Sequence, residues 1–144
     1  MTESIHPKPP HKAIDPASLA KPVGYAHGVL AAPGRTLYLA GQVGWDKESK
    51  FPHPTDLAKQ VELALTNLCA VLAEAGAKPE HVVSMRVFVL SAAAWRASAK
   101  AIGAAWRARM GRWFPAMVLA EVKGLYEPEA LVEIEAVAVV PDAP

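Results

Sequence analysis

Residues 55–90 read TDLAKQVELALTNLCAVLAEAGAKPEHVVSMRVFVL, and their hydrophobic period changes partway along. Leu57, Val61, Leu65, Leu68 and Leu72 recur at three- and four-residue spacing, which is one face of an α-helix. Thr55 or Asp56 can accept a first-turn N–H as the N-cap, and Gly76 is a stop signal, so a helix is predicted to run to about Ala75. Pro79 breaks the chain, and His81 to Leu90 is a β-branched, alternating run that predicts a strand. A one-faced helix followed within a few residues by a strand has few ways to bury its stripe. The helix has to lie back on the sheet that contains the strand.

The rest of the chain repeats that grammar. A short strand is plausible from Tyr25 to Leu30. The turn signal Pro33–Gly34 precedes a second from Thr36 to Ala40, and the two are expected to pair as a hairpin. A second helix is predicted from about Ala92 to Arg109, with Trp95, Ala99, Ile102 and Trp106 on its apolar face. Two further strands follow, Ala116 to Val122 and Leu131 to Val140. The order ββαβαββ implies an α/β (α+β) two-layer sandwich, with helices over one face of a mixed sheet. The other face needs cover, and a second copy of the chain is the natural source. Residues 1–22, rich in proline and polar side chains, are expected to be extended or partly disordered, leaving 23–144 as a single domain.

Bulk properties exclude several classes. The chain has 144 residues, enough for one core without disulfides. Fifteen Lys+Arg against 14 Asp+Glu leave a net charge of +1, with no long-range pull toward nucleic acid or an anionic membrane. Cys69 is alone and lies in a helical pattern, which fits an ordinary buried thiol. No signal-like or membrane-length apolar run occurs, so a cytoplasmic protein is expected. His6, His11, His27, His53 and His81 are scattered, so no metal site is expected, and no phosphate-binding or nucleophile-elbow motif occurs.

Polar residues inside strong strands are what remain. In EALVEIEAVAVV, Val132, Ile134, Ala136, Ala138 and Val140 fall on one wholly apolar face. Glu133 and Glu135 share the other with Leu131, Val137 and Val139. Arg86 sits in SMRVFV on a face with Phe88, where a charge needs a partner or water. The second helix carries Arg96, Lys100, Arg107 and Arg109, with Arg112 beyond. These form either a solvated basic face or an RNA-binding stripe beside Trp106 and Trp113.

Several segments resemble the RidA/YjgF family in order and spacing: LYLAGQVGWD, the helix–strand unit QVELALTNLCAVLAEAGAKPEHVVSMRVFV, and FPAMVLAEVKGL with ALVEIEAVAV. The resemblance spans Val23 to Val140. It implies a fold like that of the trimeric chorismate mutases, with three sheets packed as a central β-barrel and pockets in the clefts between subunits. It also implies a cofactor-free hydrolase that deaminates enamines and imines such as 2-aminoacrylate. In such proteins an arginine of an FPARS-like segment forks onto the substrate carboxylate, and a glutamate of the VEIE strand positions or activates water.

Carried onto this chain, the pocket tyrosine is Tyr25, with His27 in a position usually occupied by glutamine. The helix aromatic is Trp95, while the asparagine four residues on is Ala99. The glutamate is Glu133, the candidate acid/base. The arginine is absent, and Met117 stands in its place. A thioether carries no charge and cannot anchor a carboxylate. The expected protein is a homotrimer that binds a small organic molecule without the standard 2-imino acid deaminase activity. Two alternatives remain: a deaminase that uses another cation such as Arg86, and an RNA-binding or ribonuclease-like protein. A structural role for Glu133, paired with Arg86, His27 or a main-chain donor, is the other reading of that residue.

Overall fold

The computed structural model describes residues 8–142, so residues 1–7 of the proline-rich segment, with His6, lie outside the described residues. Six strands and three helices follow: β1 (Lys12–Ile14), β2 (Gly28–Leu30), β3 (Gly34–Val43), α1 (Leu57–Glu74), β4 (Val82–Val89), α2 (Ala92–Ala97), α3 (Ala99–Met110), β5 (Ala116–Glu121) and β6 (Val132–Pro141). The main sheet has the order β3-β6-β4-β5, and β1-β2 form a separate ribbon. β6 is antiparallel to both neighbours, while β4 and β5 run parallel across α2 and α3. Apart from β1, the element order is the ββαβαββ read from sequence.

α1 forms where its stripe predicts. Asp56 rather than Thr55 caps it, accepting the Lys59 N–H at 3.1 Å, and Gly76 takes φ +71 just beyond its end. The five stripe residues are buried together with Ala64 against Leu39, Met85, Val87, Ile134 and Ala136 of the sheet. Gln60 is fully buried beside them, an unforeseen polar residue. Its Nε2 donates to the His53 and Glu129 carbonyls (3.0 and 2.9 Å), and its Oε1 accepts the Leu131 N–H at 2.8 Å. Every polar atom of the amide therefore has a partner, which is the condition for burying it. Gly44 lets α1 approach: a Cβ there would lie 2.7 Å from Gln60 Cα.

Two expectations need correction. β2 does not form a hairpin with β3, because Lys12–Ile14 occupies its edge and β3 pairs instead with β6. His11 anchors that ribbon. Its Nδ1 accepts the Ala32 N–H at 2.9 Å, and its Nε2–H donates to the Val139 carbonyl at 2.8 Å. The second helix is two helices, broken at Ser98 (φ −99, ψ 10), which ends α2 and starts α3. Serine competes with the helical ladder for backbone partners and tolerates such a break.

Over β6 the helix side of the sheet is sealed: Val132, Ile134, Ala136 and Ala138 are buried beneath α1 and its neighbours. The other side has no layer over it among the described residues, and Tyr38 there is 78 % exposed.

Candidate functional site

The C-terminal end of α3 builds one wall of a cleft. Gly111 at φ +67 turns the chain out of α3 toward β5. Trp106 Nε1–H donates to the Trp113 carbonyl (3.2 Å), and Trp113 Nε1–H donates to the Val82 carbonyl (2.7 Å). Trp106 also stacks on Phe114, with ring centroids 5.4 Å apart. These contacts fix the wall, leaving a cleft of about 800 Å³ between α2–α3 and β5. Tyr25, Trp95, Ile102, Trp106, Phe114 and Met117 line it.

Tyr25 reaches the cleft because the preceding loop is tied to β5. The Ala26 N–H donates to the Pro115 carbonyl at 3.0 Å, and Ala26 bridges Ala116. His27 holds the same loop from behind. Its backbone N–H donates to Asp15 Oδ1 (2.8 Å), its Nε2–H donates to the Ala20 carbonyl (2.7 Å), and its ring meets Tyr25 edge-on at 5.3 Å. With its Nε2–H held by a carbonyl, His27 is placed to orient Tyr25.

Arg86 belongs to a different, smaller groove of about 330 Å³, which it lines with Tyr25, His27 and Met117. The register puts Arg86 opposite Glu135, and its Nη1 donates to Glu135 Oε1 at 2.8 Å. The pairing of Arg86 or His27 with Glu133, considered from sequence, does not form. The cross-strand neighbour takes Arg86, and a main-chain carbonyl takes His27.

Glu133 is apart from the cleft. It pairs with Phe88 on the uncovered face of the sheet, whereas Met117 pairs with the buried Met85 on the helix side. One sheet therefore presents the two residues from opposite faces. The Glu133 side chain lies over Gly41 at the β3 bulge, where a Cβ would come within 2.9 Å of its Cγ and Cδ. No side-chain hydrogen bond engages its carboxylate among the described residues. Tyr25, Trp95 and Met117 are thus brought together, with His27 and Arg86 beside them, and Glu133 is not.

Among the cleft residues not singled out from sequence as ligand contacts are two cations, Arg107 and Arg112. They belonged to a basic row that the structure divides: Arg109 pairs with Glu62 at 3.4 Å, while Arg107 and Arg112 line the cleft. Their signal was the Trp95–Ala99–Ile102–Trp106 stripe, whose ends border a cavity rather than core. Cys69 is half-buried, and burial pushes its thiol up, partly offset by Arg109. No helix among the described residues is long and apolar enough to cross a membrane.

Comparison with known proteins agrees with this architecture. The endoribonuclease L-PSP family model matches residues 16–140. The RutC family protein UK114 of Drosophila melanogaster is 34% identical over 128 residues, covering 88% of each chain. A 2-iminobutanoate/2-iminopropanoate deaminase of Dermatophagoides farinae is 30% identical over 81 residues, covering 56% of this chain and 62% of the other. Among solved structures, the Rid-family protein YyfB of Yersinia pestis, itself of unknown function, superimposes with a TM-score of 0.82 at 36% identity, covering 91% of this chain and 99% of that one. With a family model spanning most of its length and its mixed α+β architecture shared by Rid proteins, the chain belongs to the endoribonuclease L-PSP family, the RidA/YjgF proteins.

Proposed function

We propose that this protein is a RidA-like homotrimer that binds a small organic metabolite in clefts between subunits and lacks the standard 2-imino acid deaminase activity. One observation carries the reading: Met117, in the position where family resemblance expects the carboxylate-binding arginine, lies in a cleft walled by Tyr25, Trp95, Trp106 and Phe114. Losing a desolvated, bidentate arginine contact to a carboxylate costs roughly 2–5 kcal/mol, or tens- to thousands-fold in binding. The opposite facing of Met117 and Glu133 supports the homotrimer. The uncovered sheet face of a second copy can bring its Glu133 to the cleft, which the first copy's own Glu133 does not line.

The test is hydrolysis of 2-iminobutanoate by this protein and by an arginine-bearing relative, with molar mass measured by light scattering on the same samples. A trimer with turnover at least a hundredfold lower is expected. Turnover within a few-fold of the relative's overturns the claim about activity, and a monomer overturns the claim about assembly.

A second reading rests on Arg86, which shares a groove with Tyr25, His27 and Met117. In it, the guanidinium leaves Glu135 to hold an imino acid. It requires that Arg86→Ala abolish whatever hydrolysis is detected, and unchanged turnover in that variant removes it.

A further inference from the structure

The cleft is much larger than a three- or four-carbon acid needs and mainly apolar, yet two cations border it. Arg107 folds back along α3 across Gly103: a Cβ at residue 103 would lie 3.4 Å from its Nη1. The absence of a side chain at Gly103 leaves room for that guanidinium on the cleft wall, one turn from the exposed Ala99. Arg112 follows the Gly111 turn and reaches the same cleft from the other end of the wall.

Among the described residues neither arginine makes a salt bridge, while Arg86 and Arg109 both do. The carbonyls at the C-terminus of α3 carry about half a negative charge and would repel an anion. Two full positive charges outweigh them.

We infer that the cleft is specific for a hydrophobic, ring-bearing carboxylate, with the ring between Trp95 and the Trp106–Phe114 stack and the carboxylate at Arg107 and Arg112 rather than at residue 117. This deepens the proposed function by naming the ligand class, and it rests on that reading only for the cleft's use in binding. A volume of about 800 Å³ accommodates a bicyclic ring system. Arginine suits the rim because its planar fork can grip a carboxylate and its stem can lie along apolar surface.

Calorimetric titration of the wild-type protein with naphthalene-2-acetate, its neutral amide and 2-oxobutanoate tests the inference without reference to hydrolysis. Naphthalene-2-acetate is expected to bind about tenfold or more tighter than the amide, the preference one or two charge-assisted contacts give at a partly wet rim. 2-Oxobutanoate is expected to bind weakest. Arg107→Gln and Arg112→Gln, both at exposed positions, should each reduce the acid-over-amide preference. Equal binding of acid and amide overturns the inference, as does failure of both to bind. Loss of the preference in Arg86→Gln instead moves the anion to the smaller groove and equally overturns it. Detectable deaminase activity would overturn the proposed absence of catalysis while leaving these binding results intact.

Discussion

The cleft beneath α3 and the surroundings of Glu133 are built on opposite principles. The cleft is wide, rigidly walled and mostly apolar, with Trp106 stacked on Phe114 and hydrogen-bonded through Trp113 toward β4. Around Glu133 nothing is enclosed. Its side chain covers a glycine at a strand bulge, and nearby Arg86 is already paired with Glu135. The first region encloses a cavity of about 800 Å³. The second presents a carboxylate on the uncovered face of the sheet. Packing is concentrated in the first region, while the second is left open on the uncovered face of the sheet.

The largest effect that could break this contrast is at the stacked wall. Trp106→Ala should cost about 3–5 kcal/mol of unfolding free energy, since it empties buried volume and removes a hydrogen bond. Trp95→Ala, at the half-buried outer lip, should cost under about 1 kcal/mol while weakening ligand binding. Chemical denaturation of both variants checks the pair. Similar losses would mean that the outer lip is core, not a binding surface.

Next is Gly41→Ala, whose new methyl would collide with Glu133. It should cost about 1–3 kcal/mol if the carboxyl is held in place, measured by the denaturation midpoint. A negligible change would show that Glu133 swings freely off the bulge.

A smaller effect belongs to the ion pair. Arg86 and Glu135 side chains are 60% and 37% exposed, so a double-mutant cycle should give a coupling of about 0.2–1 kcal/mol in the free chain. Coupling well above that in the assembled protein would report that a second copy has covered this face and excluded water.

The smallest effect lies outside both regions and sets a baseline. Burial holds the His81 imidazole below its ordinary value; Glu80 opposes this, and His11 and Lys78 reinforce it. The Lys78 N–H donates to His81 Nδ1 at 3.0 Å, a bond that needs the neutral ring. Because the folded value lies below the unfolded one, the contribution is complete above about pH 6.5 and is lost as the pH falls through the folded value. Stability against pH should therefore fall less steeply on the acid side in His81→Gln. An unchanged slope would dismiss the effect.

Much of the scaffold could be read from sequence because its periods are long and consistent. The α1 stripe of Leu57, Val61, Leu65, Leu68 and Leu72 and the apolar side of β6 from Val132 to Ala138 all went where spacing put them. The β1 strand could not be read, since three residues among prolines carry no period. It forms through the His11 contact to Val139, 128 positions away. The bulge between Leu39 and Gln42 is likewise set by pairing with β6 rather than by local sequence.

In the site, alternation separated Glu133 from the core but could not tell that Met117 faces the other side, because that depends on β5 joining β4 in parallel. The cleft itself was hidden in plain view. Trp95, Ala99, Ile102 and Trp106 give one helical stripe whether a sheet or a cavity lies beneath, and the difference is made by the break at Ser98 and the turn at Gly111.

The central claim is that the cleft around Met117 is folded and open but lacks a carboxylate anchor at that position. Its most direct test is 2-iminobutanoate hydrolysis by the wild-type protein and Met117→Arg side by side. Almost no turnover is expected in the wild type, with a gain of tenfold or more on introducing the guanidinium. Wild-type turnover that equals an arginine-bearing relative's and is unchanged in Met117→Arg would contradict it.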